Sequence, residues 1–259
     1  MSQQWRLLRH GARSAYENMA IDEAILRCVT GWDTSGSSPC TLRFYRWEPS
    51  AVSIGYFQGM EQEVNLVACA ERGVDVIRRL TGGGAVYHDY EGEITYSITL
   101  PDNYPGIPRK VLDSYKLLCG GLVEGLRALG LPAEFKPIND IAVNGRKISG
   151  NAQTRRFAGI LQHGTLLCQV DPHLMFTLLK VPNEKIRDKL IAGVEERVTS
   201  IQREMGEVDR ERVTEAMVDG FAKVLDIELV PGELTEEELT LAEQLRKERY
   251  ESDAWTFKR

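Results

Sequence analysis

The sequence predicts an α+β fold in which a mixed, largely antiparallel sheet is flanked by helices. Two observations predict it. Strand-like segments gather in the middle of the chain, and helix-like segments stand before, between and after them without regular βαβ alternation. The last third of the chain, moreover, reads mostly helical.

The elements follow in order. Ser14-Ala15-Tyr16-Glu17 forms a capping box, and Ile21, Ile25 and Val29 lie behind it at helical spacing. Thr41 to Trp47 and Ala51 to Phe57 are rich in aromatic and β-branched residues, and Glu48-Pro49-Ser50 separates them, so both read as strands. Val74 to Arg79 reads as another, ending at a glycine cluster. From Glu93 to Leu100 the alternation is clean: Ile94, Tyr96, Ile98 and Leu100 share one face, opposite Glu93, Thr95, Ser97 and Thr99. A long helix carries Val111, Tyr115, Leu118, Leu122, Leu126 and Leu129 in register, with Gly130 as its stop. Val213 to Leu225 reads as a helix, and a second capping box, Thr235 to Glu238, opens another ahead of Leu239, Ala242 and Leu245.

A chain of 259 residues can bury a full core, and 42% hydrophobic with 27% charged residues is ordinary for a globular protein. The net charge of −6 supplies no basic field for a phosphate backbone, so nucleic acid is not expected as a partner. No signal peptide and no membrane-spanning apolar run is expected, which points to the cytoplasm and away from membranes. The five cysteines, Cys28, Cys40, Cys69, Cys119 and Cys168, are scattered without a C-x-x-C pair. They read as buried thiols, not as zinc ligands or a disulfide framework.

Asn144-Gly145 lies between Asp140-Ile141-Ala142-Val143 and Arg146-Lys147-Ile148-Ser149, the strongest short signal for a type I′ hairpin. Simple pairing across it sets Val143 opposite Arg146, Ala142 opposite Lys147, Ile141 opposite Ile148 and Asp140 opposite Ser149. Asp140, Ala142, Lys147 and Ser149 then share a polar face, with Ile141, Val143 and Ile148 on the core side. From spacing alone, Lys147 reads as a solvent-facing lysine on an ordinary hairpin.

Arg78 to Asp89 follows a predicted strand and holds three consecutive glycines, Gly82, Gly83 and Gly84. Such a loop can turn several N–H groups toward one anion, and Arg79 adds a planar fork suited to phosphate or carboxylate. Neither the P-loop nor the dinucleotide-binding glycine pattern is present. A flexible turn and a phosphate site remain equally supported by these residues. His88 and His163 are candidates for the site lining, as a metal pair, an acid–base pair or hydrogen-bonded structural histidines, and no spacing supports metal ligation. No metal ligand set is expected.

Several blocks together resemble the catalytic domain shared by lipoate-protein ligases, octanoyltransferases and biotin ligases. They are Asn18 to Ala24, Ser53 to Gln58, Arg78 to Asp89, Asn139-Asp140-Ile141 and Gly145 to Ala152, in an order that runs through nearly the whole chain. The resemblance implies a class II synthetase/biotin ligase-like catalytic domain filling residues 1–259, without an accessory C-terminal domain. It implies Lys147 as the catalytic residue, touching the acyl carboxyl region and the nucleotide phosphate. It places Arg79, Thr81, Gly82, Gly83, Gly84, Ala85, Val86, Tyr87, Asn139 and Asp140 with Lys147 around ATP or an acyl-adenylate. Gly83, His88, Ser149, Gly150, Ala152 and His163 would line the acyl substrate.

Within that group, a ligase joins the acid to AMP and needs charge stabilisation but no enzyme nucleophile. The transferases pass the acyl group through a cysteine thioester. In the forms most similar to this chain, that cysteine lies just upstream of the hairpin, and Leu131 to Asn139 contains none. The expectation is therefore an ATP-dependent lipoate-protein ligase using ATP and Mg²⁺, with lipoate or octanoate as substrate. Its partner would be a lipoyl-carrier domain of the 2-oxoacid dehydrogenase E2 or glycine cleavage H protein type. A separate small accessory ligase domain is a second candidate partner. Asn151 to Arg155, Leu161 to Gly164 and the tail from Ser252 resemble the transferase branch, which keeps an ATP-independent octanoyltransferase or lipoyl amidotransferase as the alternative. A non-catalytic binder of acylated carriers is the third reading, disfavoured by the presence of both Lys147 and the glycine block.

Overall fold

The computed structural model describes residues 3–258. Strand β1 (Gln3–Arg13) leads into helix α1 (Ala15–Thr30) through Ser14. Both halves of the capping box form there, and Gly31 closes the helix in the left-handed region at φ 70. Strands β2 (Thr41–Trp47) and β3 (Ala51–Ile54) precede two short helices, α2 (Met60–Glu63) and α3 (Leu66–Glu71), and strands β4 (Asp75–Arg78), β5 (Val86–His88) and β6 (Glu93–Pro101). Helix α4 (Val111–Ala128) is followed by β7 (Ala133–Lys136), β8 (Asp140–Val143), β9 (Arg146–Arg156) and β10 (Gly159–Leu167). The remainder comprises α5 (Pro172–Leu178), α6 (Glu184–Arg197), α7 (Ile201–Met205), α8 (Arg210–Leu225), β11 (Ile227–Pro231), α9 (Glu236–Leu245) with a π-helical turn over Arg246–Tyr250, and α10 (Asp253–Thr256). The second capping box also forms, at Thr235 and Glu238.

Eight strands make one sheet in the order β11-β1-β2-β6-β10-β9-β8-β7. Only β1 pairs in parallel, with β11 and β2; every other neighbour is antiparallel. The fold is thus the α+β arrangement expected, a mixed, largely antiparallel sheet flanked by helices. A second small sheet, β4-β3-β5, sits apart from it. The strand expected over Ala51 to Phe57 ends early, at Ile54. Its tail braces the glycine loop instead: the Tyr56 N–H donates to the Thr81 carbonyl, and a Cβ on Gly55 would lie 2.1 Å from the Gly83 oxygen.

Each face of the large sheet has its own core. Ile94, Tyr96, Ile98 and Leu100 of β6 pack with Leu118, Leu122 and Leu126 of α4 and Met217 and Phe221 of α8. Leu8, Tyr45 and Trp47 pack on the other side with Met19, Ala24 and Ile25 of α1 and Ala242 and Leu245 of α9. The polar residues of β6 do not meet solvent: Glu93, Thr95, Ser97 and Thr99 are all buried. Buried polar groups need partners, and Glu93, Thr95 and Ser97 find them in the site described below. No helix among the described residues is long and apolar enough to cross a membrane.

Helices α4 and α8 approach through glycines. A Cβ on Gly220 would stand 2.2 Å from the Gly121 carbonyl oxygen and 2.6 Å from the Gly125 nitrogen, both rigid backbone atoms. Gly220→Ala is therefore expected to force the helices apart and lower unfolding stability by about 2 kcal/mol or more. Urea denaturation checks this, since the midpoint should fall while Ala substitution at exposed Gly73, which has open space but a φ of 62, should give the smaller loss of a strained turn.

Candidate active site

One cavity of about 870 Å³ opens where the small sheet, the glycine loop and the β9–β10 half of the large sheet meet. Its wall includes Trp47 of β2, Ser53 of β3, Gly83 to Asp89, Glu93 and Thr95 of β6, Lys147 to Ala152 in part, and His163 to Thr165 of β10. The segments Gln169 to Pro172 and Val198 to Gln202, with Val194 and Glu195 of α6, close the remaining side.

The lysine-bearing hairpin turns at Asn144 and Gly145, with φ 51 and 77, as a type I′ turn requires. The expected pairing holds for Val143 with Arg146 and Ala142 with Lys147, then fails. Ile141 pairs with Ser149 and Asp140 with Gly150, because β9 carries one extra residue, Ile148, in a β-bulge. Ile148 and Ser149 are both buried as a result, and Gly150 takes the place beside Lys147 that simple alternation assigns to Ser149. A Cβ on Gly150 would lie 2.9 Å from Lys147 Nζ. Lys147 Nζ stands 2.7 Å from Asp140 Oδ1, with both side chains half-exposed. Its carbonyl accepts from the Thr199 N–H at 2.8 Å, which ties the hairpin to the segment after α6.

Arg79 is not free to grip a ligand. Nε donates to Thr81 Oγ1 (3.1 Å), Nη1 to the Ser53 carbonyl (3.2 Å) and Ser53 Oγ (3.0 Å), and Nη2 to the carbonyls of Gly82 (2.9 Å) and Gly84 (2.7 Å). All five guanidinium donors are therefore committed. The fork expected to face an anion is turned onto the loop's own oxygens, which holds the loop in shape. Gly83 can only be glycine here: its φ is 101, and a Cβ would lie 2.8 Å from Arg79 Nη2. Burial pushes the Arg79 guanidinium down to about 10, leaving it a cation beneath the loop.

Two hydrogen-bond chains leave Arg79. One runs from Ser53 Oγ to His88 Nε2 (2.8 Å) and from His88 Nδ1 to Glu93 Oε1 (2.7 Å). A carboxylate accepts, so Nδ1 carries the proton and Ser53 donates to Nε2. Thr95 Oγ1 also donates to Glu93 (2.7 Å), Trp47 Nε1 donates to Thr95 (2.7 Å), and the Trp47 ring stacks on His88 at 4.1 Å. The other chain runs from Thr81 Oγ1 to His163 Nε2 (2.8 Å) and from His163 Nδ1 to Asp22 Oδ2 (3.4 Å). Burial holds His163 below the ordinary histidine range, which keeps it neutral. Burial would raise the Asp22 carboxyl, but the Arg43 charge at 2.8 Å and hydrogen bonds from His163 and Ser97 outweigh it and hold it low.

Of the residues named from sequence, Lys147, Arg79, Gly83, Gly84, Ala85, Val86, Tyr87, Asn139, His88, Gly150, Ala152 and His163 line the cavity. Thr81, Gly82, Asp140 and Ser149 do not: Thr81 and Gly82 serve the Arg79 bracket, Asp140 pairs with Lys147 and Ser149 is turned into the core. Sequence reasoning missed Ser53, Glu93 and Trp47, and the α5–α6 side altogether. The unbroken polar face of β6 was the available signal for Glu93. No cysteine lines the cavity, and all five are free. Burial pushes Cys28 and Cys69 up to about 11 and Cys40, Cys119 and Cys168 up to about 12. Among the described residues no group of three or more His, Cys, Asp or Glu side chains converges as a metal site would.

Comparison with known proteins places this architecture. Among curated relatives, octanoyltransferase LipM of Kyrpidia tusciae is 41% identical over 99% of this chain and 100% of its own, and that of Brevibacillus brevis is 37% identical over 99% and 100%. A solved structure of a bi-partite lipoate protein ligase from Thermoplasma acidophilum superposes with a TM-score of 0.88 at 32% identity, covering 98% of this chain and 96% of that one. A lipoate-protein ligase A bound with ATP gives 0.81 at 30% identity, covering 99% of each. Residues 14–222, the span that holds the glycine loop, both hydrogen-bond chains and Lys147, match the family described as lipoyl protein ligase A/B catalytic domain, and the chain belongs to that family.

Proposed function

We propose that the protein is an ATP-dependent lipoate-protein ligase, which activates lipoate or octanoate as acyl-AMP and transfers the acyl group to a lysine of a lipoyl-carrier domain. One observation carries the choice: Lys147 lines the cavity, whereas none of the five thiols does and burial raises every one of them. Thioester transfer needs an accessible thiolate. Adenylate chemistry asks the protein only to position two substrates and stabilise charge at the carboxyl and phosphate. Lys147 supplies a positive charge to the cavity that the Gly83–Gly84 backbone also lines, and the buried Arg79 cation is bonded to that loop. Mg²⁺ would be carried by the ATP phosphates. The ATP-bound lipoate-protein ligase and the bi-partite ligase among the structural neighbours support this reading. The second also supports an E2 lipoyl domain as carrier and a separate accessory domain as helper.

The relatives named octanoyltransferase favour a second reading, in which the acyl group comes from a carrier thioester without ATP. The two separate cleanly. With lipoate, ATP and Mg²⁺, with or without an added accessory domain, the purified protein is expected to form lipoyl-AMP and release pyrophosphate, as seen by mass spectrometry. Iodoacetamide applied to the native protein should leave that activity intact. Acyl transfer from an octanoyl thioester without ATP, abolished by the alkylation, would instead establish the transferase.

Lys147→Ala should lower acyl-AMP formation at least about a hundredfold with little change in thermal midpoint, because the hairpin packs through Ile141, Val143 and Ile148. Normal adenylate formation by that variant would remove Lys147 from the chemistry. Arg79→Lys should behave oppositely: three ammonium donors cannot serve five acceptors, so stability falls by about 3 kcal/mol together with activity. A fully stable Arg79→Lys protein with lost nucleotide affinity would make Arg79 a direct ligand.

A further inference from the structure

Glu93 is buried in the cavity wall, and among the described residues no lysine or arginine pairs with it. Its recorded donors are His88 Nδ1 and Thr95 Oγ1, both at 2.7 Å. A buried carboxylate without a cation is unfavourable unless a positive charge can arise beside it. Asp22, at the end of the matching chain, already has Arg43 at 2.8 Å. The two chains differ at their other ends too. Thr81 does not line the cavity, while Ser53, His88 and Glu93 all do. Both histidines line the cavity, but only in the Glu93 chain do all three members line it, and only there does protonation of the histidine create a new ion pair with an otherwise cation-free carboxylate.

We propose that Ser53, His88 and Glu93 form the proton relay that deprotonates the carrier lysine during acyl transfer. An ammonium has no lone pair and cannot attack. A proton passes from the lysine Nζ to Ser53 Oγ as the Ser53 hydroxyl proton moves to His88 Nε2. The freed amine forms the C–N bond at the acyl carbon, and the bond to the leaving oxygen or sulfur breaks with its electron pair. The second Nζ proton leaves to water or to the departing oxygen or sulfur as that bond breaks, which yields the neutral amide, and the imidazolium stays paired with Glu93 until it gives its own proton to water. Glu93 acts through His88 as a positioning residue, and Trp47, stacked at 4.1 Å, fixes the ring. The other titratable groups around the pair are Arg79 beyond Ser53, Asp89 next in sequence, Tyr45 and Cys168 within range of the Glu93 charge, and His163 within range of His88. The inference rests on acyl transfer to lysine and holds for an adenylate or a thioester donor.

The test is the pH profile of the transfer step alone. Enzyme-bound lipoyl-AMP is formed from lipoate and ATP, then chased with an apo E2 lipoyl domain in single turnover between pH 5.5 and about 9. The wild-type rate should rise and then level off. His88→Ala should be slower by about a hundredfold at pH 7 and keep rising about tenfold per pH unit to the top of the range, tracking the free lysine amine. Glu93→Gln should level off at lower pH and at a lower rate, a pattern that simple damage to the fold does not produce. Two variants slowed equally at every pH, or both unchanged, would overturn the relay. If the wild type forms no lipoyl-AMP, the ligase reading fails by itself, and the same series run with an octanoyl thioester donor decides the relay.

Discussion

Five hydrogen bonds from one guanidinium organise this active site. Arg79 joins a β3 carbonyl and hydroxyl, a threonine of its own segment and two carbonyls of the glycine loop. Without it, a loop of three glycines would have little reason to hold one shape, since each contributes backbone entropy and no side-chain packing. The same cation orients the two hydroxyls that donate to Nε2 of His88 and of His163, while Glu93 and Asp22 accept from the opposite ring nitrogens. Loop shape and the placement of both hydroxyls are therefore set by a single buried charge, whose own desolvation is offset by saturating every donor.

The large sheet divides its two faces between stability and chemistry. The β6 face toward α4 and α8 is apolar, and the glycine-mediated closeness of those helices makes that side rigid. The opposite face of the same strand carries buried Glu93, Thr95, Ser97 and Thr99, the first three of them members of buried polar chains. One strand with strict alternation thus supports both a core and a site, and neither set of residues can slip by one position without inverting both.

What the sequence made legible was local. Both capping boxes and the Asn144-Gly145 turn depend on residues within a few positions of one another, and each forms as read. The alternation of β6 was legible too, but its burial was not, because that depends on where α1 and the small sheet dock. The bulge at Ile148 was hidden, since nothing in Arg146-Lys147-Ile148-Ser149 states which residue will go unpaired. Arg79 was singled out as an anion-binding fork, and its actual partners were not legible, because Ser53 arrives from 26 residues away. Ser53, His88 and Glu93 escaped notice as a unit for the same reason: a site assembled from three strands leaves no spacing to find. The highly charged α6 gave no signal in the sequence, and it is solvated on all but the side that closes the cavity.

That helix has a consequence for how the molecule ages and works. Ile191 is its one buried residue, and it borders the cavity through Val194 and Glu195. Freeing it exposes little apolar surface, so the cost of local opening lies far below that of unfolding the sheet. Opening at this edge would widen the cavity mouth while leaving both cores of the large sheet packed. The same shallow hold makes α6, and not the anchored Val198 to Ser200 that follow it, the place where a protease would first enter an otherwise intact enzyme.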